Sequence, residues 1–195
     1  MQIQRIAVIG AGPEGWQLAA RAAQAGYRTT LEDVLPSNLR RAETGIRETL
    51  QREAGVQREA GLNVDEILSR IVFASTIDEA VREADLALDC LPDELESKLE
   101  IFSMLDRMAP PHTILCTPTE AVSIADIASC TYRAERCVAV KCSQKMQRNS
   151  LSTAESIVLV HSHWTLPEVI ETTTQFWQHL GKSVVTEYDG SFAAL

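Results

Sequence analysis

The sequence predicts an α/β fold built on a doubly wound, mainly parallel sheet in a single domain covering residues 1–195. Three observations carry that reading. The apolar run Ile6-Ala7-Val8-Ile9 leads straight into Gly10-Ala11-Gly12-Pro13-Glu14-Gly15, after which the periodicity becomes helical. A second strand-like run, residues 27–31, is followed by Asp33, about 23 residues after Gly10. Beyond it, strand-like and helix-like segments keep alternating, as parallel strands with crossover helices require.

The first strand, glycine turn and helix have the spacing of a Rossmann-type dinucleotide site. Glycines allow a tight turn and a close approach of backbone to pyrophosphate, whose charge faces the helix N-terminus. Pro13 suits the first helical position, where its missing N–H is not needed. An acid at the second strand's tip accepts from the ribose hydroxyls and repels a 2′-phosphate, so Asp33 points to NAD rather than NADP. Glu14 works against this, because its charge competes with phosphate for the same helix end. Trp16 and Gln17 are also bulky for a helix that must lie close to sheet and cofactor. The alternative is that these glycines only pack the helix onto its strand.

The next helix, residues 37–60, shows one narrow apolar stripe: Leu39, Ala42, Ile46, Leu50 and Ala54. A short duplication, Gln51-Arg52-Glu53-Ala54-Gly55 and Gln57-Arg58-Glu59-Ala60-Gly61, reads as a solvated helix end. Strands follow at 70–74 and 85–90, with a short helix opened by Ser75-Thr76-Ile77-Asp78 between them. Leu95, Leu99, Phe102 and Leu105 mark a helix that Pro110-Pro111 ends before a strand at 113–116. Further strands are expected at Cys137–Cys142 and at 156–160. Thr165-Leu166-Pro167-Glu168 reads as a capping box opening a last helix, with Val169, Ile170, Thr173, Phe176, Trp177 and Leu180 on its inner face and Gly181 as its stop. Ser183–Tyr188 is the final strand.

Bulk properties narrow the function classes. A net charge of −9 argues against nucleic-acid and anionic-membrane partners, which need clustered Lys and Arg. Cys90, Cys116, Cys130, Cys137 and Cys142 form neither a CxxC pair nor a disulfide framework, so they read as reduced thiols of a cytoplasmic protein. No signal peptide, membrane-spanning run or metal-ligand spacing is expected, and no histidine sits in a nucleophile–base arrangement.

Taken along nearly its whole length, from Arg5-Ile6-Ala7-Val8-Ile9-Gly10 to Asp189-Gly190-Ser191-Phe192, the chain resembles the NAD-binding domain of the 3-hydroxyacyl-CoA dehydrogenases. The most distinctive stretch is residues 85–98, where the family has a strand, a carboxylate and a lysine five residues on, here Asp93 and Lys98. The resemblance implies that both lie by the nicotinamide end of the cofactor. Read from the residues alone, Asp93 serves equally well as a helix cap and Lys98 as a solvated surface charge.

Two positions depart from the family. Its Ser-Asn-Thr-Ser-Ser-Leu segment corresponds to Thr117-Pro118-Thr119-Glu120-Ala121-Val122, which puts Glu120 where a serine would touch the substrate oxygen. A carboxylate there repels the charge that develops on that oxygen. Its Gly-x-His-Phe-Phe-Asn-Pro segment corresponds to residues 139–145, with Lys141 in place of the catalytic histidine and Glu155 in place of the carboxylate that orients it. Imidazole can take a hydroxyl proton near neutral pH, and an ordinary lysine, already protonated, cannot. The opposite signs suggest that Glu120 and Lys141 form an ion pair across the site.

The family is completed by a C-terminal helical domain, and the sequence stops just after the point where that domain would begin. Either another polypeptide then supplies the missing half of the acyl-CoA site or the chemistry is lost, and a bare apolar patch favours self-association or a partner subunit. Three readings follow: an NAD-binding member without the full catalytic set, an active oxidoreductase on a small hydroxy or hydroxyacyl substrate using Lys141, or a non-catalytic oligomerisation or scaffold module.

Overall fold

The computed structural model describes residues 2–56, 63–142 and 155–190. Among the described residues eight strands form one sheet in the order β3-β2-β1-β4-β5-β6-β7-β8. Their ranges are β1 Arg5–Ile9, β2 Arg28–Glu32, β3 Ile71–Ala74, β4 Leu86–Asp89, β5 Ile114–Pro118, β6 Cys137–Cys142, β7 Ser156–His161 and β8 Ser183–Tyr188. All neighbouring pairs are parallel except β6 with β7. The order reverses direction between β1 and β4, which makes the topological switch point where open α/β sheets take ligands.

Helices cover both faces: α1 Pro13–Gln24, α2 Pro36–Val56, α3 Val64–Leu68, α4 Ile77–Val81, α5 Leu95–Met108, α6 Ile124–Ala128 and α7 Pro167–His179. On one face Leu18, Leu31, Ile46, Leu50, Phe176 and Trp177 pack together. On the other, Ile9, Ala74, Val81, Phe102, Leu115 and Ile127 do the same. The α2 stripe behaves as its spacing predicts, with Ala42, Ile46 and Leu50 buried. The second copy of the duplication, with Arg58, lies outside the described residues.

The predicted capping box takes a different form. α7 begins with Pro167 in its first turn and Leu166 as its cap residue, and no side chain caps it. Thr165 Oγ1 instead accepts from the Ser162 N–H at 3.0 Å and donates to the Cys137 carbonyl at 3.1 Å, fastening the β7–α7 loop to β6. The stop is as expected: Gly181, at φ +80°, turns the chain while its N–H and that of Lys182 close on Gln178 and Trp177 carbonyls. Two short helices, α3 and α6, had no counterpart in the sequence reading; each opens on a side-chain cap, Asn63 to Glu66 N and Ser123 to Asp126 N.

Candidate functional site

The glycine turn is shaped as dinucleotide binding requires. Gly10 sits at φ +98° at the end of β1 and donates its N–H to the Glu32 carbonyl at 2.9 Å. A Cβ on Gly15 would meet the Gly10 carbonyl oxygen at 1.9 Å, so only glycine lets α1 approach β1 this closely. A Cβ on Gly12 would meet nothing within 4 Å. That open space, at the N-terminus of a 12-residue helix, suits the pyrophosphate of a dinucleotide.

Pro13 takes the first position of α1, and Glu14, half-buried, takes the second, so its negative charge sits in the first turn where a phosphate would compete for the same helix end. Trp16 causes no crowding, because it turns toward α2 and lies against Gly45. Asp33 is fixed from several sides. Its Oδ2 accepts from Ala11 N at 3.0 Å, its Oδ1 from Leu35 N at 2.9 Å, and Asn38 Nδ2 reaches both oxygens at 3.0 Å. The acid thus ties the glycine turn to the tip of β2 while staying partly exposed, in the position from which a ribose would be bound.

Lys98 departs from its reading as a solvated surface charge. Its ammonium is fully buried, 2.9 Å from Asp89 Oδ2 and 3.1 Å from the Leu91 carbonyl. Asp89, equally buried, also accepts from Thr117 Oγ1 at 2.9 Å and, through Oδ1, from Leu91 N at 2.9 Å. Lys98 is therefore not a surface charge; it fixes the turn after β4. The sequence carried a signal for Asp89, a charge inside the apolar run 86–91, and burial of a charge demands a partner.

Asp93 does not cap α5, whose cap residue is Glu94. Its Oδ2 accepts from the backbone N–H of Glu120 at 2.9 Å, so it joins the loops after β4 and β5. Glu120 and Lys141 do come together: both line a cleft of about 330 Å³ with Ser123, Glu187, Tyr188 and Asp189. The partner that Lys141 meets is Glu187, on β8, with Nζ 3.3 Å from Oε1. Register explains this. Lys141 and Ala139 share one face of β6, and Ala139 pairs through Val160 with Glu187, so the two charges lie on the same face of the sheet. Asp189 closes the floor by accepting from Ser123 Oγ at 2.7 Å and Ala125 N at 3.1 Å.

No histidine lines this cleft among the described residues. His179 bonds to Tyr27 OH at 2.8 Å, at the opposite end of the sheet, and His112 faces Asp85 at 3.4 Å. Glu155 is described, directly before β7, and residues 143–145 of the run that follows Lys141 lie outside the described residues. Among the described residues no cluster of three or more His, Cys, Asp or Glu could hold a metal ion, and no helix is long and apolar enough to cross a membrane.

Comparison with known proteins agrees with this geometry. The family model described as "3-hydroxyacyl-CoA dehydrogenase, NAD binding domain" matches residues 5–190. A probable 3-hydroxybutyryl-CoA dehydrogenase of Bacillus subtilis is 33% identical over 138 residues, 71% of this chain and 48% of its own length. The 3-hydroxybutyryl-CoA dehydrogenase of Bradyrhizobium diazoefficiens is 29% identical over 96% of this chain and 62% of its own. Among solved structures, the 3-hydroxybutyryl-CoA dehydrogenase of Escherichia coli K12 superposes with a TM-score of 0.88 at 27% identity, over 97% of this chain and 39% of that one. The chain thus spans about half to three fifths of the length of these curated relatives.

Proposed function

The chain belongs to the 3-hydroxyacyl-CoA dehydrogenase family, whose NAD-binding domain it carries, and from that premise we propose that it holds NAD without performing the family's dehydrogenation by itself. Gly10, Gly12, Pro13, Gly15 and Asp33 would hold the cofactor, with Asp93 shaping the loop by its nicotinamide end. NAD, when bound, accepts a hydride. Oxidising a hydroxyl group also requires a side chain that takes the proton, and the observation that carries the reading is the Lys141–Glu187 pair. An ammonium held by a carboxylate donates protons and does not accept them. Glu120, lining the same cleft, repels negative charge developing on a substrate oxygen.

The Lys141–Glu187 pair also supports a second reading, a reductase in which the lysine gives a proton to a carbonyl oxygen while NADH supplies hydride. The proposal keeps a cytoplasmic location, consistent with the free thiols of Cys90, Cys116, Cys130 and Cys137. Self-association is likewise part of it, supported by Val185 and Tyr188, more than half exposed on the edge strand β8.

Calorimetric titration with NAD, followed by an NADH absorbance assay with 3-hydroxybutyryl-CoA, tests the proposal. Expected are saturable binding, at least about tenfold weaker in Gly12→Val because its side chain fills the open phosphate space, and no NADH production. Turnover abolished by Lys141→Ala would assign the chemistry to Lys141. No binding at millimolar NAD would remove the cofactor reading and leave the scaffold reading.

A further inference from the structure

The sheet ends on two unlike edges. β3 is four residues long, whereas β8 is six, Ser-Val-Val-Thr-Glu-Tyr, rich in β-branched side chains and without the proline or lysine that ordinarily blunts an edge. The Ser183 N–H donates to the Glu155 carbonyl at 2.9 Å and the Asp189 N–H to the His161 carbonyl at 2.8 Å. Alternate residues of a parallel ladder share this direction, so Val184, Thr186 and Tyr188 turn their N–H and C=O groups outward. No strand pairs with that side of β8 among the described residues, and Val185 and Tyr188 are 59% and 54% exposed.

Charge says what fits this edge. Lys182 precedes the strand, and Glu187 and Asp189 stand at its other end, so a second β8 running the opposite way brings unlike charges end to end, and one running the same way brings like charges together. Residues directly opposite in a sheet share a face, so two copies related by a two-fold axis pair residues of like parity. An axis at Thr186 would set Val185 against the partner's Glu187, apolar against charged. An axis at Val185 sets Val185 against the partner's Val185 and Ser183 against the partner's Glu187. Val184 then faces the partner's Thr186, and these two, both turned outward, exchange their backbone hydrogen bonds. We propose that β8 docks antiparallel on β8 of a second copy of this chain, with the two-fold axis at Val185. This rests on the self-association reading and gives it a surface, a direction and a register. It also brings the partner's Ser183 beside Glu187, at the rim of the cleft that holds Lys141.

Sedimentation velocity from low to high micromolar concentration tests this, since a six-residue edge makes a small interface whose dimer exchanges with monomer. The wild-type chain is expected to pass from monomer to dimer over that range. Val185→Lys sets two ammonium groups at the axis and should weaken dimerisation at least about tenfold, with an unchanged far-ultraviolet circular dichroism spectrum because the site is open to water in the monomer. Val185→Cys, oxidised with glutathione disulfide, should form a covalent dimer well above the wild-type level set by the native thiols. Opposite residues that exchange no hydrogen bonds stand about 4.5 Å apart at Cα, within disulfide reach. Thr186→Cys should not cross-link, because the two copies of that residue would be about 8 Å apart. The cysteine variants decide the matter if the lysine variant fails to fold. A dimer that persists in a folded Val185→Lys chain, a Val185→Cys chain that stays at the wild-type level, or a Thr186→Cys chain that cross-links more readily overturns the proposal while self-association stands. A wild-type chain that remains monomeric throughout overturns both and leaves the NAD reading untouched.

Discussion

Two lysine–carboxylate pairs in this molecule differ in one respect, access to water, and that difference separates fold from function. Lys98 and Asp89 lie 2.9 Å apart with no exposed side-chain surface, and Thr117 and Leu91 supply further hydrogen bonds to the pair. Lys141 and Glu187 lie 3.3 Å apart with side chains 29% and 54% exposed, in a cleft that also holds Glu120. A closed pair can only position backbone. An open pair can exchange its partner for a ligand.

The largest expected effect lies in the closed pair. Removing one member of a buried pair strands the other charge, so Lys98→Met should lower unfolding free energy by about 3–5 kcal/mol in urea titration. Replacing both, Lys98→Met with Asp89→Leu, removes the stranded charge, and the double variant should be more stable than Lys98→Met alone. A loss below about 1 kcal/mol in the single variant would put this pair in the same class as the exposed one.

Glu32 extends the comparison to a buried acid with no ion-pair partner among the described residues. Its folded-state pKa of about 7 lies above the ordinary 4.5, so the native state holds more protons than the unfolded chain between those values. The resulting contribution to stability is present below about 4.5, declines as pH rises and is gone above about 7. Glu32→Gln should therefore match the wild type near pH 4.5 and exceed it at pH 8 by up to about 3 kcal/mol in chemical denaturation. A difference that does not vary with pH would show that Glu32 has a partner at neutral pH.

What the sequence made legible follows from how far each signal reaches along the chain. The glycine turn, Pro13 and Asp33 are fixed by backbone needs within one βαβ unit, and they stand where the spacing predicted. The cleft was half legible: resemblance brought Glu120 and Lys141 to one place, but the charge that meets Lys141 is 46 residues away and arrives through the antiparallel β6–β7 pairing and the β7–β8 register. Helices of five residues, such as α3 and α6, complete too few turns to show a period. Glu32 was passed over because Asp33 beside it had an assigned role. Strand alternation separates the two, since neighbouring residues on β2 face opposite sides of the sheet.

The smallest stability effect, and the sharpest test of the comparison, belongs to the open pair. Lys141→Met and Glu187→Gln should each change unfolding free energy by less than about 1 kcal/mol, because water screens both groups and solvates whichever is left. A double-mutant cycle should return a coupling in the same range. If Lys141 is instead coupled to Glu187 by several kcal/mol, the pair is a structural clamp like Lys98–Asp89, and the cleft loses the lysine that a substrate oxygen could engage. With weak coupling, the ammonium remains available to an anionic group entering the cleft, which keeps the reductase reading distinct from that of an NAD-holding domain.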